Sequence, residues 1–175
     1  MPPLTDYLRP NLDLVIVGIN PGTKSWTAGH HYAGPGNHFW PLLYESGLVT
    51  EPLTSADDAR VLEWNIGVTN MVAHTTPSLS DLSLDELRAG AKSLARKLER
   101  CRPRVVAFNG KRIYEVFSGK PCSFGRQPER FAGAVIYVMP STSPRGASYQ
   151  RADKLRFFIE LRELVRSVCA EPVAS

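Results

Sequence analysis

The residues that could take part in chemistry stand where short apolar runs end. The first run, 12–20, closes in the turn GINPG, with Asn20 at the position where the chain must turn. The runs at 104–110 and 134–140 close in FNGK and MPSTSPR, and the segment 65–71, a candidate for a fourth and shorter strand, contains the turn GVTN. Continuous apolar runs of this length are typical of parallel strands covered on both faces. Because ligands bind beyond the carboxyl ends of such strands, we expect the four turns to meet around one site.

The side chains in these turns are amides, hydroxyls and a few cations. No Asp or Glu lies in them, so we do not expect a pair of carboxylates acting as acid and base. An Asn amide does not titrate in the useful range, but it can hold a water molecule and stabilise developing charge through a fixed dipole. Taken alone, Asn20 followed by Pro21 and Gly22 is more often an ordinary turn that uses the Asn side chain for local hydrogen bonds.

Several common active-site patterns are absent. Lys111 follows Gly110, but Arg112 occupies the position where a P-loop has Ser or Thr. No GxGxxG follows a strand and no GxSxG turn occurs, so neither a dinucleotide cofactor nor an esterase-type serine is expected. The histidines have no HExxH pattern and no Cys partner, which predicts that they bind no metal. These histidines are His30, His31, His38 and His74.

The composition indicates one globular domain over residues 1–175. The chain is 43% hydrophobic and 22% charged, with a net charge of +4 that is compatible with a polyanionic partner. It has no apolar stretch long enough to span a membrane and no basic start followed by an apolar core, so neither a membrane span nor a secretory signal is expected. The scattered Cys101, Cys122 and Cys169 predict free thiols.

Helical patterns alternate with the apolar runs. One helix is predicted from Ser83, which forms a capping box with Glu86, and another over 151–168. Short helices are expected after Asn37, Ser55 and Lys111. The apolar stripe of the first helix is Leu84, Leu87, Ala91, Leu94, Ala95 and Leu98, and that of the second is Leu155, Phe158, Ile159, Leu161, Val165 and Val168. This alternation predicts an α/β fold with a parallel central sheet.

Five blocks of the sequence resemble the mismatch-specific uracil/thymine-DNA glycosylase family. They are GINPG (18–22), HHYAGPGNHFW (30–40), GVTNMVAHTTP (67–77), VVAFNGKRIYEVF (105–117) and MPSTSPR (139–145). They follow the family's order, and the similarity extends from about Leu12 to Val165, closest to the catalytic core of thymine-DNA glycosylase. The resemblance implies a three-layer α/β/α sandwich with a short central parallel sheet and an enzyme that needs no cofactor.

The resemblance also implies an activity. Such an enzyme flips uracil, with thymine or other modified pyrimidines as further candidates, out of duplex DNA, preferentially opposite guanine. It hydrolyses the N-glycosidic bond and leaves an abasic site for base excision repair. The implied partner is double-stranded DNA with uracil or a G/U or G/T mismatch, bound by a monomer away from membranes. The expected location is the nucleus for a eukaryotic source, and the cytoplasm or nucleoid for a bacterial one.

Site residues follow from the matched blocks. Asn20 would hold the attacking water, and His31, with backbone N–H groups, would receive the negative charge of the leaving base. The residues expected to contact the base are Gly18, Ile19, Ser25, Tyr32, Asn37 and Asn70. Those expected to bind DNA are Lys111, Ser141, Ser143, Pro144 and Arg145, with Arg145 filling the space that the flipped nucleotide leaves.

The segment Thr23–Gly29 departs from the small and apolar residues typical of the family, which leaves the accepted 5-substituents open. Other functions also compete: a general uracil glycosylase that includes single strands, a silent module that binds modified bases, and a small-molecule nucleoside hydrolase. Retention of Asn20 and His31 argues against the silent module, and Lys111 with Arg145 argues against the nucleoside hydrolase.

Overall fold

Five short strands form the central sheet of this computed structural model, which describes residues 3–77, 81–144 and 149–172. The strands are β1 (Leu14–Gly18), β2 (Ile66–Asn70), β3 (Val105–Asn109), β4 (Gly125–Phe131) and β5 (Ala134–Met139). Their order in the sheet is β2-β1-β3-β5-β4. β1, β2, β3 and β5 pair in parallel, as the apolar runs predict, and β4 pairs antiparallel with β5.

The sequence did not predict β4, and its position explains why. It is an edge strand, so exposed residues alternate with residues that are half-buried or, at Gln127, buried, and its sequence GRQPERF carries no apolar run. It contains Pro128, which an edge strand tolerates, and its pairing with β5 is irregular between Arg126 and Arg130.

Helices cover both faces of the sheet. They are α1 (Thr23–Ala28), α2 (Phe39–Glu45), α3 (Leu84–Cys101), α4 (Lys111–Ser118) and α5 (Arg151–Ala170), with a 3₁₀ helix over Ser55–Trp64. Leu14 and Ile16 of β1 face the core that includes α2, α5 and the 3₁₀ helix. Val15 and Val17 face the core that includes α3 and α4. The α/β fold with three layers is therefore confirmed.

Most of the helix predictions are confirmed, with two corrections of burial. Ser83 and Glu86 form the capping box, with the Glu86 N–H donating to Ser83 Oγ at 3.1 Å. Leu84, predicted to face inward, is 54% exposed because it lies in the first turn, ahead of the first packed residue. Ile159, also predicted inward, is 37% exposed because it lies one residue, about 100° of helix rotation, from the buried Phe158. No helix within the described ranges is long and apolar enough to cross a membrane.

Candidate active site

A cleft of about 710 Å³ opens where β1, β2, β3 and β5 end. Eleven of the thirteen predicted site residues line it: Gly18, Ile19, Asn20, Ser25, His31, Tyr32, Asn37, Asn70, Ser141, Ser143 and Pro144. The unpredicted α1 contributes Thr23, Lys24 and Ser25 to one wall. The four strand-end turns therefore converge as the parallel topology requires.

The amide of Asn20 is held by the segment that follows β2. Its Nδ2 donates to the carbonyl oxygen of His74 at 3.2 Å and to Thr76 Oγ1 at 3.1 Å. A carbonyl oxygen can only accept, so the contact with His74 fixes which end of the amide is the nitrogen. The His74 imidazole lies 3.2 Å from a carboxylate oxygen of Glu86, which ties this segment to α3. Within the described ranges Oδ1 has no donor, so it is the atom left to accept from a water molecule.

Gly18 lets two polar groups approach the end of β1. A Cβ at this position would lie 2.5 Å from Asn70 Oδ1 and 3.1 Å from the Tyr32 hydroxyl oxygen. The first distance is shorter than real Cβ atoms show, so any larger residue would displace the Asn70 side chain. The absence of a side chain at Gly18 therefore sets the positions of Asn70 and Tyr32 in the cleft.

The Tyr32 ring forms an aromatic wall of the cleft. It stacks on Phe39, with ring centroids 3.9 Å apart and an interplanar angle of 18°, so Phe39 supports one of its faces. The Tyr32 backbone has a φ of 53°, in the left-handed region that non-glycine residues adopt rarely. Burial raises the pKa of the Tyr32 hydroxyl to about 12, and the nearby Asn109 side chain acts in the opposite direction. The hydroxyl therefore stays protonated at neutral pH. The hydroxyl oxygen has no hydrogen-bond partner among the described residues.

The buried carboxylate of Asp58 holds the segment before Tyr32. One of its oxygens accepts from the His31 backbone N–H at 2.8 Å, and the other lies 3.1 Å from His30 Nδ1. Asp58 comes from the 3₁₀ helix and is 1% exposed. Sequence reasoning missed it because the contact joins residues 27 positions apart and Asp58 stands in no strand-end turn.

His31 is buried, and both of its N–H groups have partners in the protein. Its Nε2 lies 2.6 Å from the carbonyl oxygen of Thr5, so Nε2 carries the proton, and its backbone N–H is bound by Asp58. Burial lowers the pKa of the imidazole, with the Thr5 carbonyl and Asp58 acting in the opposite direction. His31 lines the cleft, but its role as a donor to the leaving base stays a prediction. Such a contact would require the Nε2–H or the backbone N–H of His31 to break its present hydrogen bond to Thr5 or Asp58.

The lowered pKa of His31 predicts a loss of stability in mild acid. Because the folded pKa lies below the unfolded value of about 6.5, the unfolded chain binds more protons as the pH falls past that value. His31→Gln can still donate to Thr5 but does not titrate. Chemical denaturation at about pH 7.5 and pH 5.5 should show a larger loss of unfolding free energy for the wild type than for His31→Gln. Equal losses would contradict the assignment.

An amide clamp, formed by Asn109 and Thr142, fixes the loop after β5. Neither residue is among the predicted site residues. Asn109 Nδ2 donates to Thr142 Oγ1 and Asn109 Oδ1 accepts from the Thr142 backbone N–H, both at 3.0 Å. The His38 backbone N–H donates to the Thr142 carbonyl at 3.1 Å. The signal for Asn109 was its place in the FNG turn. Its partner could not be read, because the pair is 33 residues apart.

Two further predicted residues make internal hydrogen bonds that shape the cleft. Ser25 Oγ accepts from the Ala33 N–H at 2.9 Å, and Asn37 Oδ1 accepts from the Phe39 N–H at 3.0 Å. Both side chains therefore hold the 25–39 segment in place as well as lining the cleft.

The predicted DNA-binding residues divide into three groups. Ser141, Ser143 and Pro144 lie together in the loop after β5 at the edge of the cleft. Lys111 does not line the cleft; its ammonium group lies 4.5 Å from the Phe124 ring centroid, at the start of α4. Arg145 lies outside the described residues.

The lining is uncharged except for one lysine and the histidine. It combines amides and hydroxyls with the apolar surface of Leu4, Ile19, Tyr32 and several prolines, and contains no Asp or Glu among its described residues. No group of three or more His, Cys, Asp or Glu within the described ranges could hold a metal ion. Such a lining can position a water molecule and stabilise charge through fixed dipoles.

The chain is similar to known proteins in sequence and in fold. The sequence model of the Uracil DNA glycosylase superfamily matches residues 5–166. The solution NMR structure of a proposed uracil DNA glycosylase from Methanosarcina acetivorans superposes with a TM-score of 0.62 at 17% identity, covering 95% of this chain and 96% of that one. An identity this low shows a shared fold. Because the superfamily model matches most of the length of this chain, the chain belongs to the uracil DNA glycosylase superfamily.

Proposed function

We propose that this protein is a monofunctional DNA glycosylase that hydrolyses the N-glycosidic bond of uracil in duplex DNA, preferentially opposite guanine, and leaves an abasic site. Membership of the superfamily supports hydrolytic DNA glycosylase activity in general. The preference for a mismatch rests on the resemblance to thymine-DNA glycosylase. The observation that carries the proposal is the Asn20 amide, whose nitrogen is held by His74 and Thr76 while its oxygen is left to bind water.

The chemistry of uracil excision suits a cleft without carboxylates. The base leaves as an anion while the sugar becomes oxocarbenium-like, so little proton transfer is needed before the bond breaks. Fixed dipoles that are aimed at the developing charges then supply the stabilisation. In this proposal Asn20 Oδ1 orients the water toward the anomeric carbon, and backbone N–H groups of the GINPG turn face the departing base.

A flipped base would occupy the space between Tyr32 and Asn70. Tyr32, supported from behind by Phe39, offers its other face for stacking, and the Asn70 amide can bind the polar edge of the base. The loop Ser141–Pro144 at the edge of the cleft would bind the phosphates next to the flipped nucleotide. The clamp between Asn109 and Thr142 gives that loop a fixed position relative to the base.

Three substrates separate this proposal from its rivals. The enzyme should release uracil from a duplex that contains it, and should leave free deoxyuridine and undamaged duplex intact. Cleavage of free deoxyuridine at a comparable rate would favour a nucleoside hydrolase. Tight binding to the uracil duplex with no base release would favour a silent binding module.

Arg145→Ala should weaken cleavage unevenly across substrates. Extruding a base leaves a gap in the stack, and the cost is least where the pair is already mismatched. The planar guanidinium of an arginine can fill such a gap and donate hydrogen bonds there. Single-turnover rates should therefore fall most for uracil opposite adenine, less for uracil opposite guanine, and least for single-stranded uracil. An equal loss on all three, with a salt slope shallower by about one, would indicate a plain phosphate contact instead.

A further inference from the structure

Lys154 is a lysine in the apolar stripe of α5 where the sequence pattern leads one to expect an apolar residue. It precedes Phe158 and Leu161 on the buried face of the helix and is itself only 2% exposed. Lysine is almost never fully buried unless it is paired, because burial removes the water that stabilises its charge. Its position therefore requires a compensating interaction.

The protein supplies little of that compensation. The ammonium group of Lys154 donates to the carbonyl oxygen of Ser143 at 3.2 Å, and no carboxylate within the described ranges pairs with it. The carboxylates nearest along α5 and α2 are engaged elsewhere: Asp153 pairs with Arg156, and Glu45 pairs with Arg151. The described structure thus leaves a buried cation without an anionic partner.

The local electrostatics add to this imbalance. Lys154 lies in the first turns of α5, at the end of the helix where the macrodipole disfavours positive charge. His38, which also contacts the loop after β5 through its backbone N–H, has its pKa lowered by burial and then by the charges of Lys154 and Arg151. His38 and Lys154 therefore both contact this loop, through the carbonyl oxygens of Thr142 and Ser143.

The loop that Lys154 contacts is Ser141–Pro144, at the edge of the cleft. The Ser143 carbonyl accepts a hydrogen bond from the Lys154 ammonium group, and the Ser143 backbone N–H donates to Ser141 Oγ at 3.2 Å. Thr142 between them is clamped by Asn109, so the loop is fixed from two sides. Positive charge beneath a fixed loop of small hydroxyl residues forms a site that suits a phosphate.

We propose that Lys154 is the buried cation of a phosphate site on the loop Ser141–Pro144. The Lys154 ammonium group anchors the loop through the Ser143 carbonyl. A DNA backbone phosphate bound on the loop compensates the charge of Lys154. Lys154 is a positioning residue, since it acts on the phosphate through the loop and does not touch it. The inference deepens the proposed function and rests on it for the identity of the anion as DNA.

Two variants separate the charge of Lys154 from its hydrogen bond. Lys154→Gln keeps an N–H donor but removes the charge, and Lys154→Met keeps the length of the stem and removes both. Lys120→Gln is the matched control. Lys120 follows the C-terminal end of α4, and its side chain is 60% exposed. The measurement is the affinity of each protein for undamaged duplex DNA at several salt concentrations, with thermal stability recorded in parallel.

Both Lys154 variants should bind duplex DNA about tenfold more weakly than the wild type, with a salt slope shallower by about one, while Lys120→Gln leaves both unchanged. The thermal stability of Lys154→Gln should be equal to or above that of the wild type, because an unpaired buried charge is removed while an N–H donor is kept. Lys154→Met should be less stable than Lys154→Gln, because the Ser143 carbonyl loses its donor. Wild-type affinity in Lys154→Gln, or weaker binding with an unchanged salt slope, would overturn the proposal. These readouts use DNA without uracil, so they stay interpretable if the proposed cleavage activity fails.

Discussion

Asn20→Ala is expected to lower the single-turnover rate of uracil release by about 10²–10⁴-fold while leaving the affinity for uracil-containing duplex nearly unchanged. The amide oxygen is proposed to orient the attacking water, an interaction that gains strength as the bond breaks. Removing it costs stabilisation of the transition state and little binding in the ground state. The two hydrogen bonds that the Asn20 amide gives to His74 and Thr76 are also lost, so the segment after β2 loses one of its anchors.

The experiment for Asn20 needs a control for that second effect. Thr76→Val removes one of the hydrogen bonds to the amide but leaves Asn20 and its bond to His74 in place. Its rate should lie between those of the wild type and Asn20→Ala, because the amide is held less firmly but still present. A rate for Asn20→Ala within a few-fold of the wild type would refute the role given to the amide.

Gly18→Ala is expected to reduce the single-turnover rate by about 10²-fold, because displacing a positioning group by an ångström can have an effect of that size. The added Cβ would lie 2.5 Å from Asn70 Oδ1, so Asn70 must leave its present position. Asn70→Ala should lower the rate for a related reason, since the proposed contact between the Asn70 amide and the base is lost altogether.

A double-mutant cycle tests whether Gly18 acts through Asn70. If the clash with Asn70 carries the effect, Gly18→Ala should cost much less in the Asn70→Ala background than in the wild type. Some loss should persist, because the new Cβ also lies 3.1 Å from the Tyr32 hydroxyl oxygen. Fully additive losses would show that Gly18 is needed for a reason unrelated to Asn70, such as the approach of the base to the backbone.

The parts of the fold that could be predicted are those with a strong local pattern. β1, β3 and β5 are fully buried, so their apolar runs are continuous, and the capping box at Ser83 marks the start of α3. β4 could not be predicted because an edge strand needs no apolar run. α1 could not be predicted because its six residues, TKSWTA, carry no side-chain cap and no apolar stripe.

The site was predictable in its location and less so in its connections. Parallel strands bring their carboxyl ends together, so Asn20 and Asn70 could be placed in one cleft from their positions in the sequence. The contacts that orient the site join distant residues: Asp58 with His31, and Asn109 with Thr142. The burial of Lys154 could not be predicted, because a lysine in a helix usually faces solvent and only the tertiary packing shows that this one does not.

We propose that a cleft without carboxylates hydrolyses the glycosidic bond of uracil in DNA. The most direct measurement incubates excess wild-type protein with a duplex that holds one uracil opposite guanine, and quantifies both the free uracil and the alkali-labile sites. We expect equal amounts of the two products, formed faster than from the same duplex with adenine opposite the uracil. If the wild-type protein binds the duplex but yields neither free uracil nor alkali-labile sites, the account given for this cleft is wrong.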